Sequence, residues 1–203
     1  MQRARPLFPL IALLALAGCS PGSPPGAGSA QPPAVAAPPP AALPGPDAEL
    51  AQLQAVAAVD ACQWLTAEDL RTVWPDLAYE VHQALPPRLS GYAWDSRCTW
   101  WAGVGSIDFA KDTPTHTVEI FVATPVSEAK ARQNLASRRE TASAATGFQP
   151  QSALGADAYA ITRTGAVSLY FVRGASEVQL NVSDLDSPND EKLRKALALA
   201  ALL

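Results

Sequence analysis

The chain reads as an α+β fold, an antiparallel β-sheet with helices packed on one face. Three features of residues 47–203 predict it. Strand patterns come in runs joined by glycine turns, and helical patterns stand apart from them instead of alternating in βαβ units. Val178, Leu180 and Val182 alternate with Gln179, Asn181 and Ser183, as a half-buried antiparallel strand requires. The length of the segment suits one domain.

The elements follow in order. Leu50, Leu53, Val56 and Val59 recur every third residue, which predicts a short helix over Asp47 to Ala61. Thr66-Ala-Glu-Asp69 has the form of a capping box, so a second short helix starts there and stops before Pro75. Residues 76–91 contain Pro86-Pro87 and Ser90-Gly91 and read as a long loop. A strand runs through Cys98, Thr99, Trp100 and Trp101, and Ile107 to Ala110 reads as another. Thr117 to Thr124 is a third, with Val118, Ile120 and Val122 on one face. Thr124-Pro125 then predicts a helix start, hydroxyl at the N-cap and proline at the first position. That helix runs to about Thr141 and presents Lys130, Arg132, Arg138 and Arg139 to solvent. Ala158 to Thr162, Val167 to Val172 and Val178 to Val182 form a meander turned at Gly165 and Gly174. Ser187 and Asp190 are placed to cap a last, apolar helix.

The first 46 residues have a different character. Arg3 and Arg5 precede an apolar run, Leu7 to Ala17, and Leu16-Ala17-Gly18-Cys19 closes it. This is the layout of an export signal. The run is about a dozen residues, short of the ~20 that span a bilayer. The small pair followed by cysteine resembles the lipobox of bacterial lipoproteins. The resemblance implies a signal peptide over 1–18, cleavage before Cys19, a lipid on its thiol and an acyl chain on its new amino group. Two or more acyl chains hold a protein stably on a membrane where one does not. Ser20, in place of the aspartate that favours inner-membrane retention, resembles outer-membrane sorting in a diderm cell; otherwise the outer face of the plasma membrane is implied. Residues 19–46 carry no charge and are mostly Pro, Ala, Gly and Ser, a disordered spacer reaching up to roughly 80 Å. A proline-recognition ligand is the other reading of this stretch.

Charge excludes some partners. Fifteen basic and nineteen acidic residues give −4, and loss of Arg3 and Arg5 takes the mature chain to −6. Nucleic acid and anionic lipid surfaces attract basic patches, so neither is an expected partner.

With Cys19 lipidated, Cys62 and Cys98 remain, and in an exported protein such a pair reads as one disulfide. It closes a loop of about 37 residues, worth roughly 4 kcal/mol. A redox pair or half a metal site is the alternative. Cys62-Gln-Trp64 and Cys98-Thr-Trp100 share a local frame. With Thr66 and Gly155-Ala-Asp-Ala-Tyr159, they resemble uncharacterised lipoprotein domains, common in actinobacteria, that carry Cys-x-Leu-Leu-Thr and later Cys-x-Trp. Trp64 stands where leucine is usual. The resemblance implies a secreted, disulfide-stapled α+β domain and no particular activity.

Chemistry is sparse. No His-Glu-x-x-His helix or phosphate-binding glycine loop occurs, and no cofactor or metal is expected. His82 falls in the predicted loop; His116 precedes a strand beside Thr115 and Thr117 and reads as a surface residue. Asp184-Leu-Asp186 with Asn189 to Glu191 departs from a calcium loop by lacking glycine at the sixth position and glutamate at the twelfth, and reads as a turn and helix cap. Tyr92, Trp94 and Trp101 are the candidate binding residues, since Trp100 and Trp101 must face opposite sides of their strand. The expectation is a membrane-anchored, non-catalytic module that binds an envelope protein or a glycan. The alternatives are a cell-wall or periplasmic hydrolase with His82 near its centre, and an extracytoplasmic sensor or inhibitor domain that holds a diffusible ligand.

Overall fold

The computed structural model describes residues 45–103 and 114–203. The expected lipobox with Cys19, the expected spacer up to residue 44 and the strand expected at Ile107 to Ala110 lie outside these. In chain order the elements are α1 (Pro46–Gln54), α2 (Ala61–Trp64), α3 (Ala67–Val73), β1 (Glu80–Leu89), β2 (Trp94–Ala102), β3 (His116–Thr124), α4 (Glu128–Ala142), β4 (Phe148–Pro150), β5 (Tyr159–Arg163), β6 (Ala166–Arg173), β7 (Ser176–Asp184) and α5 (Asn189–Ala200). The strands form one sheet in the order β1-β2-β3-β7-β6-β5-β4, every neighbouring pair antiparallel. Among the described residues no helix is long and apolar enough to cross a membrane.

Alternation along the strands builds the core. Cys98 and Trp100 of β2, Val118, Ile120 and Val122 of β3, Val178, Leu180 and Val182 of β7, and Val167, Leu169 and Phe171 of β6 are all buried on one face. Ala196 and Leu199 of α5 and Leu70 of α3 close over them. The meander turns at Gly165 and Gly174, both at positive φ, where a side chain would be strained. The capping box also forms: Thr66 Oγ1 accepts from the Asp69 N–H, and the Asp69 carboxylate accepts from the Thr66 N–H.

Five expectations need correction. Residues 80–89 are a strand, not a loop. Prolines are tolerated in β1 because it is an edge, and the register with β2 slips between Leu85 and Arg88, where they lie. The first helix ends at Gln54, because residues 59–61 are tied to β2: the Ser96 hydroxyl donates to Val59 O and accepts from the Ala61 N–H. Helix α4 is capped by Ser127, whose hydroxyl accepts from the Lys130 N–H; Thr124 is still paired in the sheet and its hydroxyl bonds Ser176. Pro188, not Ser187, holds the N-cap of α5, because the Ser187 hydroxyl donates to Asp184. Finally, α4 is the exception to packing on one face. Its Leu135 lies with Tyr159 and Ile161 in a second cluster, joined by Tyr170 and Val172, on the side of the sheet opposite Leu169 and Phe171. There Arg138 pairs with Glu177 and Arg139 with Asp157, so neither arginine is purely a solvent group.

Candidate functional site

Cys62 and Cys98 are bonded, with Cα atoms 5.1 Å apart, well inside the ~7 Å limit for a bridge. Asp60 caps α2 by accepting from the Cys62 N–H, and this turn delivers the thiol to the buried face of β2.

The aromatic candidates do not converge. Tyr92, 54% exposed, stands in the turn between β1 and β2. Trp94 opens β2 on the core face, and its indole N–H donates to Leu53 O of α1 at 2.9 Å, a bond that anchors the first helix. Trp101 is seven residues further along and on the opposite face, roughly 23 Å away along the strand. Trp100 is buried while Trp101 is half-buried, as their adjacency requires. The Trp101 ring stacks on His82 of β1 at 3.4 Å between centroids and 10° between planes. Beside it a polar strip crosses three strands: Thr99 and Asn181 donate to Glu119, Arg97 pairs with Glu119, and Gln179 donates to Asn181.

Polar groups gather instead around His116, which is half-buried rather than a plain surface residue. Strand pairing sets His116 of β3 directly across from Asp184 of β7. Its Nε2 lies 3.2 Å from Asp184 Oδ1, and its Nδ1 2.9 Å from Thr115 Oγ1. An ionised carboxylate only accepts, so Nε2 carries the proton and Nδ1 can accept from the threonine hydroxyl. Asp184 also accepts from the N–H groups of Asp186 and Ser187 and from the Ser187 hydroxyl, and Lys195 Nζ stands 3.7 Å away. Burial opposes its ionisation, but the Ser187 hydroxyl, the Asp186 N–H, His116 and the Ser187 N–H outweigh that and hold the carboxyl below its ordinary value. The turn expected at Asp184 to Asp186 is therefore present, made by the side chain itself.

Thr115, His116 and Asp184 have the order of a hydroxyl–base–acid relay. His116, Asp184 and Asp186 also bring one ligating atom each within 4.8 Å of one another, the set that could hold a cation. Both uses compete with the same fact: the Asp184 oxygens already serve N–H and O–H donors and lie beside an ammonium group. The carboxylate fastens β3, β7 and α5 together.

A cleft of about 440 Å³ adjoins this hub. Its polar lining is Asp76, His116, Glu191, Arg194 and Lys195, and its apolar lining is Val73, Trp74, Pro75 and Leu77. Lys195 lies over the Trp74 ring at 5.2 Å and bonds Glu191 at 3.0 Å. Trp74 packs on Tyr79, and the Trp74 indole N–H and the Tyr79 hydroxyl are buried without a hydrogen-bond partner among the described residues. Burial, then the Asp184 charge, pushes the Tyr79 phenol up, so it stays a donor at any ordinary pH. Trp74, Arg194 and Lys195 were not legible as site residues. The available signals were a tryptophan ahead of a proline at a helix end and an adjacent cation pair on the last helix.

No family model matches the chain, and no curated protein matches it in sequence.

Proposed function

We propose that this protein is an envelope lipoprotein, held by acylated Cys19 and spaced from the membrane by residues 19–46. Its folded domain is a non-catalytic binding or accessory module for another envelope component, a protein or a glycan. The supporting observation is the Cys62–Cys98 bond, buried at Cys98 and joining α2 to β2. Such bonds form and persist in oxidising compartments, which agrees with the export signal. Fatty-acid labelling and detergent partition test the reading. Wild-type protein should take up labelled fatty acid and enter the detergent phase, and Cys19→Ala should do neither. Unlabelled wild-type protein in the aqueous phase overturns the anchor.

A second reading is favoured by the cleft beside His116: a sensor or inhibitor domain that holds a small diffusible solute. Its mixed polar and apolar lining and its volume are those of small-molecule sites. The hydrolase reading centred on His82 has less support, because that ring lies stacked on Trp101 and the polar groups converge around His116.

A further inference from the structure

We propose that the cleft between α3 and α5 binds a small zwitterion that carries a carboxylate and an ammonium group, a free amino acid or a short peptide. The proposal rests on the second reading above, in which the cleft holds a diffusible solute. The rim carries both signs of charge. Arg194, with 72% of its side chain exposed, has Glu191, at 3.8 Å, as its one ion-pair partner among the described residues. Asp76 is exposed and has no ion-pair partner among the described residues. A ligand with one sign of charge meets repulsion from half of this rim, whereas a zwitterion meets an opposite charge at each end. The carboxylate end has further reason to enter. Trp74 lines the cleft, its indole N–H is a buried donor with no partner among the described residues, and a buried donor without an acceptor is costly. Lys195 is already fixed between Glu191 and the Trp74 ring, so little of its freedom is left to lose on binding. Val73, Pro75 and Leu77 supply an apolar wall for a side chain.

The test uses the detergent-solubilised, ¹⁵N-labelled full-length chain. Its five tryptophans give five indole N–H resonances, and the Trp74 resonance is the one lost in Trp74→Phe. Leucine and leucyl-leucine should move that resonance saturably. N-acetylleucine, without the ammonium, and leucinamide, without the carboxylate, should bind about tenfold more weakly, as loss of one charge-assisted contact implies. Asp76→Ala should weaken leucine by a similar factor and leave N-acetylleucine unchanged. Arg194→Ala should weaken leucine and leave leucinamide unchanged; both side chains are exposed, so the fold should survive. Equal binding of leucine and N-acetylleucine overturns the zwitterion. Movement with acetate or phosphate but not with leucine overturns it too, while the solute-holding reading stands. A Trp74 resonance unmoved by every probe overturns both.

Discussion

Strand β7 carries a buried carboxylate at each end, and the two are treated in opposite ways. Asp184, fully buried on the core face, is surrounded by donors: two backbone N–H groups, a hydroxyl, His116 and Lys195. Its carboxyl is held down, and it stays ionised. Glu177, 3% exposed on the α4 face, has the Asn134 amide at 2.7 Å and Arg138 at 3.3 Å. Burial pushes its carboxyl up, the nearby Asp95 charge adds to that, and the Asn134 and Arg138 contacts do not reverse the shift. Burial alone therefore does not set the charge state; the number of donors aimed at the oxygens does.

The largest break in the comparison is Asp184→Ala. It removes the anion that His116, Lys195 and the Ser187 turn all address, and breaking a buried pair costs about 3–5 kcal/mol. Chemical denaturation at neutral pH should show that loss. An unchanged midpoint would mean the hub is ornamental. Reduction of Cys62–Cys98 is the yardstick beside it. It should cost roughly 2–4 kcal/mol, and because neither carboxylate is touched, the pH slope of stability should not change. Lys195→Met keeps most of the stem over Trp74 and removes the ammonium, for a loss of about 1–2 kcal/mol. The smallest effect is Glu177→Gln, within about 1 kcal/mol at neutral pH, because the amide can still accept from Asn134.

The pH profiles sharpen the contrast, since the two signs differ. Asp184 is depressed in the folded state, so its stabilisation is present above its ordinary value of 3.8 and is lost as pH falls below it. Glu177 is raised, so its contribution is complete below its ordinary value of 4.5 and is lost as pH rises through the folded value. Glu177→Gln should therefore gain on the wild type as pH rises above 4.5. A constant difference across that range would show that Glu177 ionises as freely folded as unfolded.

What the sequence disclosed follows the range of the interactions. The capping box at Thr66, the meander at Gly165 and Gly174 and the core stripe of β3 are each written within a few residues, and all are present. The cysteine pair was legible because the choice was among very few partners. Helix starts at α4 and α5 were misplaced because Thr124 and Ser187, good local caps, are claimed by Ser176 and Asp184. Strand β1 was missed because two prolines signal a loop, and being at an edge is a property of the assembled sheet. The cleft was illegible for the same reason: Trp74, His116 and Lys195 come from three separate stretches of chain, and only the pairing of β3 with β7 and the packing of α3 against α5 brings them together.

The two prolines of β1 have a further consequence. A sheet of this width ends in exposed backbone, and an unbroken edge can recruit a neighbour's strand and start a fibril. One end here is only the three residues of β4, and the other is slipped out of register at His82 and again at Pro86-Pro87. Neither end offers a long straight template. Under the proposed membrane anchor many copies would stand side by side at high local concentration, and edges of this kind would keep them from zipping together.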